Sequence, residues 1–347
     1  MEKVIFEVRT LTPLFLAGAD LMVAELRALT LRGLLHYWLR ALVGGLVGTD
    51  EQGLENVRQT ESAVFGSIGA RSAITVQMSN ASQRPREFSE RIGVRQREKW
   101  QATGRGYLLW SMARSGSVNR GNFRPARWYF PAGTSFQVVL SARETFSQQI
   151  KQATAAFWLL AQLGGIGSRS RRCAGSLSVQ ASSTLADLSI LPFAQAEHSQ
   201  ALKQLLEQGI NGARALAAVE IRSRQDALPD ARFDILASGA CRIWILHDGQ
   251  PWHSAEQAMQ VTGKRLQEYR SRLSIREREF FGLPLAHSAP GIRRASPLHL
   301  RITRLRGSLY VCVAVLFKTV SDDMRMQDYA VIERWSDEFR SKLEVLL

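Results

Sequence analysis

Two ferredoxin-like (RRM-like) units in tandem, an α+β architecture, are predicted for this 347-residue chain by three features of its sequence. Strand-type and helix-type hydrophobic periods follow the order β-α-β-β-α-β through the first 180 residues. Most of that order returns after residue 240. Between the two runs lies a Ser/Ala-rich stretch, ASSTLADLS (181–189). The chain therefore divides into units 1–185 and 186–347, with a basic insertion over 80–130 between the second and third strands of the first.

Residues 3–12 read as the first strand. Residues 29–43 form a helix, because Leu31, Leu34, Leu35, Trp38, Leu39 and Leu42 recur at helical spacing. Residues 72–79 alternate like a strand, with Ile74, Val76 and Met78 on one face. Residues 134–142, entered through the turn residues PAG, are the third strand. A second helix over 148–163 carries Ile150, Ala153, Phe157 and Leu160 on one stripe, and 176–181 closes the unit as a short strand. In the second half, CRIWILH (241–247) is a strand and 254–281 is mostly helical. Residues 296–317 are a hairpin turning at Arg306-Gly307-Ser308. Residues 329–347 read as a closing helix, which leaves this unit one strand short. The missing strand is expected from 217–224 or 231–237.

The insertion carries eleven basic and three acidic residues between Arg84 and Arg127, interleaved with Trp100, Tyr107, Trp110 and Phe123. A connection this long serves a function or is disordered, and its aromatics argue against complete disorder. Arginine among aromatics suits single-stranded RNA or the surface of a neighbouring subunit.

Charge is the loudest global feature. The formal net charge is +14, with 38 arginines against 7 lysines. Arginine presents a planar fork that fits phosphate and stacks on bases, so the bias favours nucleic acid. Residues 1–180 carry +11 and residues 181–347 only +3, an asymmetry that codon usage alone does not produce. Cys173, Cys241 and Cys312 are far apart and form no CxxC, so neither a disulfide framework nor a metal site is expected, and a cytoplasmic location is. The N-terminus reads as a strand rather than a signal peptide, and no apolar run approaches a membrane span.

Two clusters are candidates for binding. In LGGIGSRSRRCAGSL (163–177), Arg169, Arg171 and Arg172 crowd into four positions behind Gly164, Gly165, Gly167 and Ser168. Arginines so close repel one another unless an anion lies among them. The glycines follow a helix and precede a strand, the reverse of a nucleotide-binding turn. There is no GxGxxG, GKS or GKT, and no cofactor is expected. Gly164 or Gly165 is expected to supply a left-handed helix cap, and the glycines to let a phosphate approach. The second cluster is Arg32, His36 and Arg40, spaced i, i+4, i+8 on the first helix, a stripe with no acid of its own. Side-by-side helices would bring stripe and loop into one groove. His36 could serve as a general base on an RNA 2′-hydroxyl, but there is no HExxH, GxSxG or close carboxylate pair, and the chain reads as non-catalytic.

Taken together, LTPLFLAGAD, ELRALTLRGLLHYWLRALVGG, ESAVFGS and GGIGSRSRRCAGSL resemble the RAMP superfamily of CRISPR effectors, within it the family of the first subunit of type III-B Cmr complexes. IRRASPLHLRI (292–302) is similar to the second half of that family. The resemblance implies tandem ferredoxin-like domains and a non-catalytic RNA-binding subunit in antiviral defence. It also implies contact with the crRNA 3′ end and target RNA, next to other RAMP subunits. It carries the glycine-rich loop onto Gly164, Gly165, Gly167, Arg169, Arg171 and Arg172, and a helix motif onto Arg32, Gly33 and Arg40. Cys173-Ala174 stands where relatives more often show glycine and an aromatic.

Overall fold

The structure, a computed structural model, describes residues 1–90, 92–96, 99–116, 123–183, 186–218, 231–283, 294–320 and 325–347. The first half runs β1 (Glu2–Thr10), α1 (Ala28–Val47), α2 (Glu51–Phe65), β2 (Thr75–Met78), β3 (Arg86–Glu87), β4 (Gly93–Gln96), β5 (Lys99–Ala102), α3 (Gly104–Leu109), β6 (Trp128–Tyr129), β7 (Ser135–Ala142), α4 (Ser147–Leu163) and β8 (Leu177–Ser183). The second half runs α5 (Ser199–Ala217), β9 (Cys241–His247), α6 (Ala255–Ser271), α7 (Ile275–Glu279), β10 (Leu298–Arg304), β11 (Tyr310–Phe317), α8 (Ala330–Trp335) and β12 (Ser341–Val345).

Two four-stranded antiparallel sheets result, ordered β2-β7-β1-β8 and β10-β11-β9-β12. In both, the first and third strands of the unit occupy the centre. The second unit is therefore complete in itself, and two expectations are corrected. Residues 329–347 are not one helix: the chain turns after α8 and returns as β12 beside β9. The fourth strand is this C-terminal one. Residues 231–237 form no strand; they lie against α1, where Leu236 N–H donates to the Ala41 carbonyl at 2.9 Å. Most of 217–224 falls outside the described residues.

Apolar patterning explains how the layers stack. In β1, Val4, Phe6 and Val8 point inward, opposite Leu140, Val138 and Phe136 of β7. α1 buries Leu31, Leu35, Trp38, Leu39 and Leu42 as its spacing requires. α4 is buried on nearly every side, because it touches β1, β7 and β8 of one sheet and β10 and β11 of the other. β9 carries an apolar run over its four central residues, Ile243, Trp244, Ile245 and Leu246, for the same reason. Ile243 and Ile245 join the core shared with α1 and α4, while Trp244 and Leu246 face the core around α6 and α8. α1 and α4 thus fill the space between the sheets. At ~25 cal/mol per Å² of buried apolar surface, this shared layer couples the halves strongly.

Two further helices lie outside the expected elements. α2 buries only Gly53, Val57, Val64 and Phe65; Asp50 caps it, accepting from Gly53 N–H at 2.8 Å. α5 packs through glycine: a Cβ at Gly209 would sit 1.9 Å from the Trp158 ring. The insertion is also built on close approach. A Cβ at Gly263 of α6 would sit 2.0 Å from the carbonyl oxygen of Gly104, and one at Gly104 would sit 1.9 Å from that of Gln260. α3 therefore lies directly on the backbone of α6, and Arg105 beside the contact pairs with Glu90 and Glu256. Part of the insertion is a brace between the two halves.

Candidate nucleic-acid interface

The glycine-rich loop joins α4 to β8 and packs against itself. Gly164 caps α4 with ordinary negative φ, its N–H donating to Leu160 O. The left-handed residues come later, at Gly167 (φ +87°), Arg169 (+63°), Cys173 (+65°) and Gly175 (+61°). The cap expected at Gly164 or Gly165 is corrected accordingly. Both glycines instead make room for the protein's own atoms: a Cβ would sit 2.8 Å from the Trp38 indole at Gly164 and 3.0 Å from Ala174 O at Gly165. At Gly167 it would sit 2.3 Å from Phe15 O, the same oxygen that accepts from Ser168 N–H. The space expected to admit a phosphate at these glycines is filled from within. Their tight turns project the arginines that follow. For the two non-glycine residues the left-handed backbone costs about 1–2 kcal/mol each; the loop supplies fixed bonds in return, including Thr12 Oγ1 to Cys173 O at 2.6 Å and Cys173 N–H to Leu300 O at 2.8 Å.

All three arginines line one cleft of about 790 Å³, together with Ser170 from the loop. Arg169 Nε donates to Leu108 O of α3 at 2.7 Å. Arg171 reaches Ser296 O and lies over the Tyr37 ring, with Asp234 4.0 Å away; its side chain is about one-third exposed. Arg172 is buried and donates to Phe281 O and Leu298 O. The fold adds Arg270 from α6 and Arg294 before β10, with Tyr107 and Trp110 from the insertion. Five arginines and no carboxylate line the cleft among the described residues.

That arrangement is electrostatically costly. Burial, against some help from Tyr107, and repulsion from Arg270 push the Arg169 guanidinium down to about 10. Burial, then Arg169 and Arg270, push Arg172 down to about 9. The buried Nε atoms of Arg270 and Arg294 have no acceptor. Behind the cleft, Tyr37 donates its hydroxyl to Asp234 at 2.7 Å and stacks against His299. Burial, then Arg171 and Arg172, hold the His299 imidazole well below its ordinary value. An anion in the cleft would offset the mutual repulsion of these groups.

The α1 stripe is engaged elsewhere, and the expectation of one groove is corrected. Arg32 donates to Phe65 O at the end of α2. Glu61 of α2 accepts from His36 Nδ1 at 2.6 Å and from Arg40 at 2.7 Å, and His36 packs on the Phe65 ring. Burial works to raise the Glu61 carboxyl, but hydrogen bonds from His36 and Arg40 outweigh it and hold the group below its ordinary range. None of the three lines the cleft. The acid absent from the stripe comes from the helix that the periodicity did not reveal. Arg270, about a hundred residues beyond the loop, carried no local motif; Arg294 stands in IRRASPLHLRI, a stretch not expected to form part of a binding site.

The fold and this loop define the class. Residues 7–178 match the RAMP superfamily, and the chain is a RAMP superfamily protein. It resembles Cmr1, a subunit of type III-B Cmr complexes. It is 27% identical over 302 residues to the CRISPR system Cmr subunit Cmr1-1 of Pyrococcus furiosus, a match covering 85% of this chain and 81% of that protein. Against subunit Cmr1-2 of the same organism it is 29% identical over 192 residues, covering 52% and 96%. In fold it is similar to the apo crystal structure of P. furiosus Cmr1 (TM-score 0.67, 22% identity, 99% of both chains). It is also similar to a chain in the cryo-EM structure of type III-B Cmr-beta bound to cognate target RNA (TM-score 0.58, 12% identity, 96% of this chain and all of the other).

Proposed function

We propose that this protein is a non-catalytic, cytoplasmic RNA-binding subunit of a type III-B Cmr complex, contacting the crRNA 3′ end, target RNA or both beside other RAMP subunits. Its two units, 1–185 and 186–347, are read as tandem ferredoxin-like domains with 80–130 inserted in the first. The acid-free cleft carries this reading. Arg171, the most accessible of its loop arginines, is the principal phosphate contact; Arg169 and Arg172 fix the cleft's shape and add to its field. Arg32, His36 and Arg40 support α2 rather than line the cleft.

Phosphate contacts release counterions, so each adds about 0.7 to the slope of log K against log salt for single strands. Binding of wild type and Arg171→Ala to RNA across a salt series tests the reading. The slope is expected to fall by about that amount; an unchanged slope removes Arg171 from the interface. The hydrogen bond of His36 to Glu61 keeps one rival in view, a metal-independent guide-processing endoribonuclease with His36 as base. Cleavage of repeat RNA in EDTA, lost in His36→Ala, would establish that enzyme instead.

A further inference from the structure

We infer that Trp110 is a stacking platform for one unpaired nucleobase, so that the arginine cleft takes single-stranded RNA with a base turned out of its stack rather than a continuous duplex. This inference rests on the cleft being an RNA site and adds what kind of RNA it accepts.

Three observations carry it. Trp110 is 53% exposed yet lines the cleft beside the five arginines. Among the described residues its ring makes no contact with another aromatic ring or with a cation, whereas Tyr37 lies beneath Arg171 and Phe281 beneath Arg270. Its position is also fixed. Trp110 follows α3 directly, and α3 is held on α6 by the Gly104–Gly263 approach. Two residues earlier, the Leu108 carbonyl accepts from Arg169. The platform and a cleft arginine are therefore parts of one rigid unit.

A large indole left in water costs hydrophobic free energy. Placed over an unpaired base it gains a π-face of matching size, while the guanidiniums engage the flanking phosphates. Every base offers such a face, so the contact is indifferent to sequence. A base inside a duplex already has both faces covered by its neighbours and gains nothing from Trp110.

Binding of the full-length protein to a labelled single-stranded RNA, and to the same strand in a blunt duplex, is measured by fluorescence anisotropy. Wild type, Trp110→Ala, Trp110→Phe and Arg171→Ala are compared, each with its melting temperature. Trp110→Ala is expected to weaken single-strand binding about tenfold or more, leave duplex binding unchanged and keep the wild-type salt slope. Trp110→Phe is expected to restore most of the loss. Single-strand affinity unchanged in Trp110→Ala, or equal losses on both RNAs, would overturn the stacking role. If Arg171→Ala still lowers the salt slope, the cleft remains an RNA site and only this inference falls. If wild type binds neither RNA, both fall.

Discussion

Arg32, His36 and Arg40 on α1 and Arg169, Arg171 and Arg172 after α4 are both three-residue basic groups, and they differ in how closely a carboxylate approaches them. Glu61 accepts from His36 at 2.6 Å and from Arg40 at 2.7 Å, while Arg32 donates to the Phe65 carbonyl. The second group meets backbone carbonyls, which orient guanidiniums without neutralising them; Asp234 comes no nearer than 4.0 Å to Arg171 and already accepts from Tyr37, and Arg270 and Arg294 add to the charge. Residue type and spacing do not separate a cluster engaged within the fold from one left open to an anion. The charge delivered by the neighbouring element does.

The sharpest way to break the comparison is to remove the cleft and keep its arginines. Gly263→Val drives a side chain into the Gly104 carbonyl and should cost about 2–3 kcal/mol, read as a lower melting temperature. Displacing α3 also removes the Leu108 anchor of Arg169, so RNA affinity should fall with stability. Full affinity in a destabilised variant would mean that the cleft does not need its insertion wall. Next in size, Glu61→Gln should lower stability by about 1 kcal/mol, because a half-buried acceptor of two charge-assisted bonds is weakened. It should also steepen the salt dependence of RNA binding by freeing the stripe; an unchanged dependence would show that the stripe is out of reach of RNA.

Arg40→Ala is expected to change stability by less than about 0.5 kcal/mol and to leave the salt slope as it is. A slope drop matching that of Arg171→Ala would make the two clusters equivalent. The gentlest probe is pH. His299 refuses a proton in the folded state that the unfolded chain accepts below about 6.5. Its contribution is complete above that value and is lost as pH falls toward 5. Glu61 contributes its loss only below about 4.5. Melting temperatures between pH 7 and 5 should therefore decline, and His299→Gln should flatten that decline; an equal slope in the variant would exclude His299 as its source.

Long periodic elements were readable from residue spacing: β1, α1, β7, α4 and β9 lie within a few residues of their expected bounds. The elements that escaped have physical reasons. α2 presents few apolar side chains, and β12 is five residues of mixed polarity after a six-residue helix; α5, by contrast, was legible, because Leu202, Leu206, Ile210 and Ala213 recur at helical spacing. At the site, crowding identified the three loop arginines. The loop glycines suggested an open approach for phosphate, but that space belongs to Trp38, Ala174 and Phe15. Cys173 illustrates the same limit: its φ of +65° is a backbone state that favours glycine, a fact of conformation that no charge count contains.

β10 is an edge strand of its sheet. The carbonyls of Leu298 and Leu300 accept from Arg172 and from Cys173 N–H, and the N–H of Ile302 donates to Ser176 Oγ. Along that margin a foreign strand finds its pairing positions already taken. The turn that holds the guanidiniums therefore also guards against aggregation, sealing a sheet border that would otherwise invite another polypeptide to extend it.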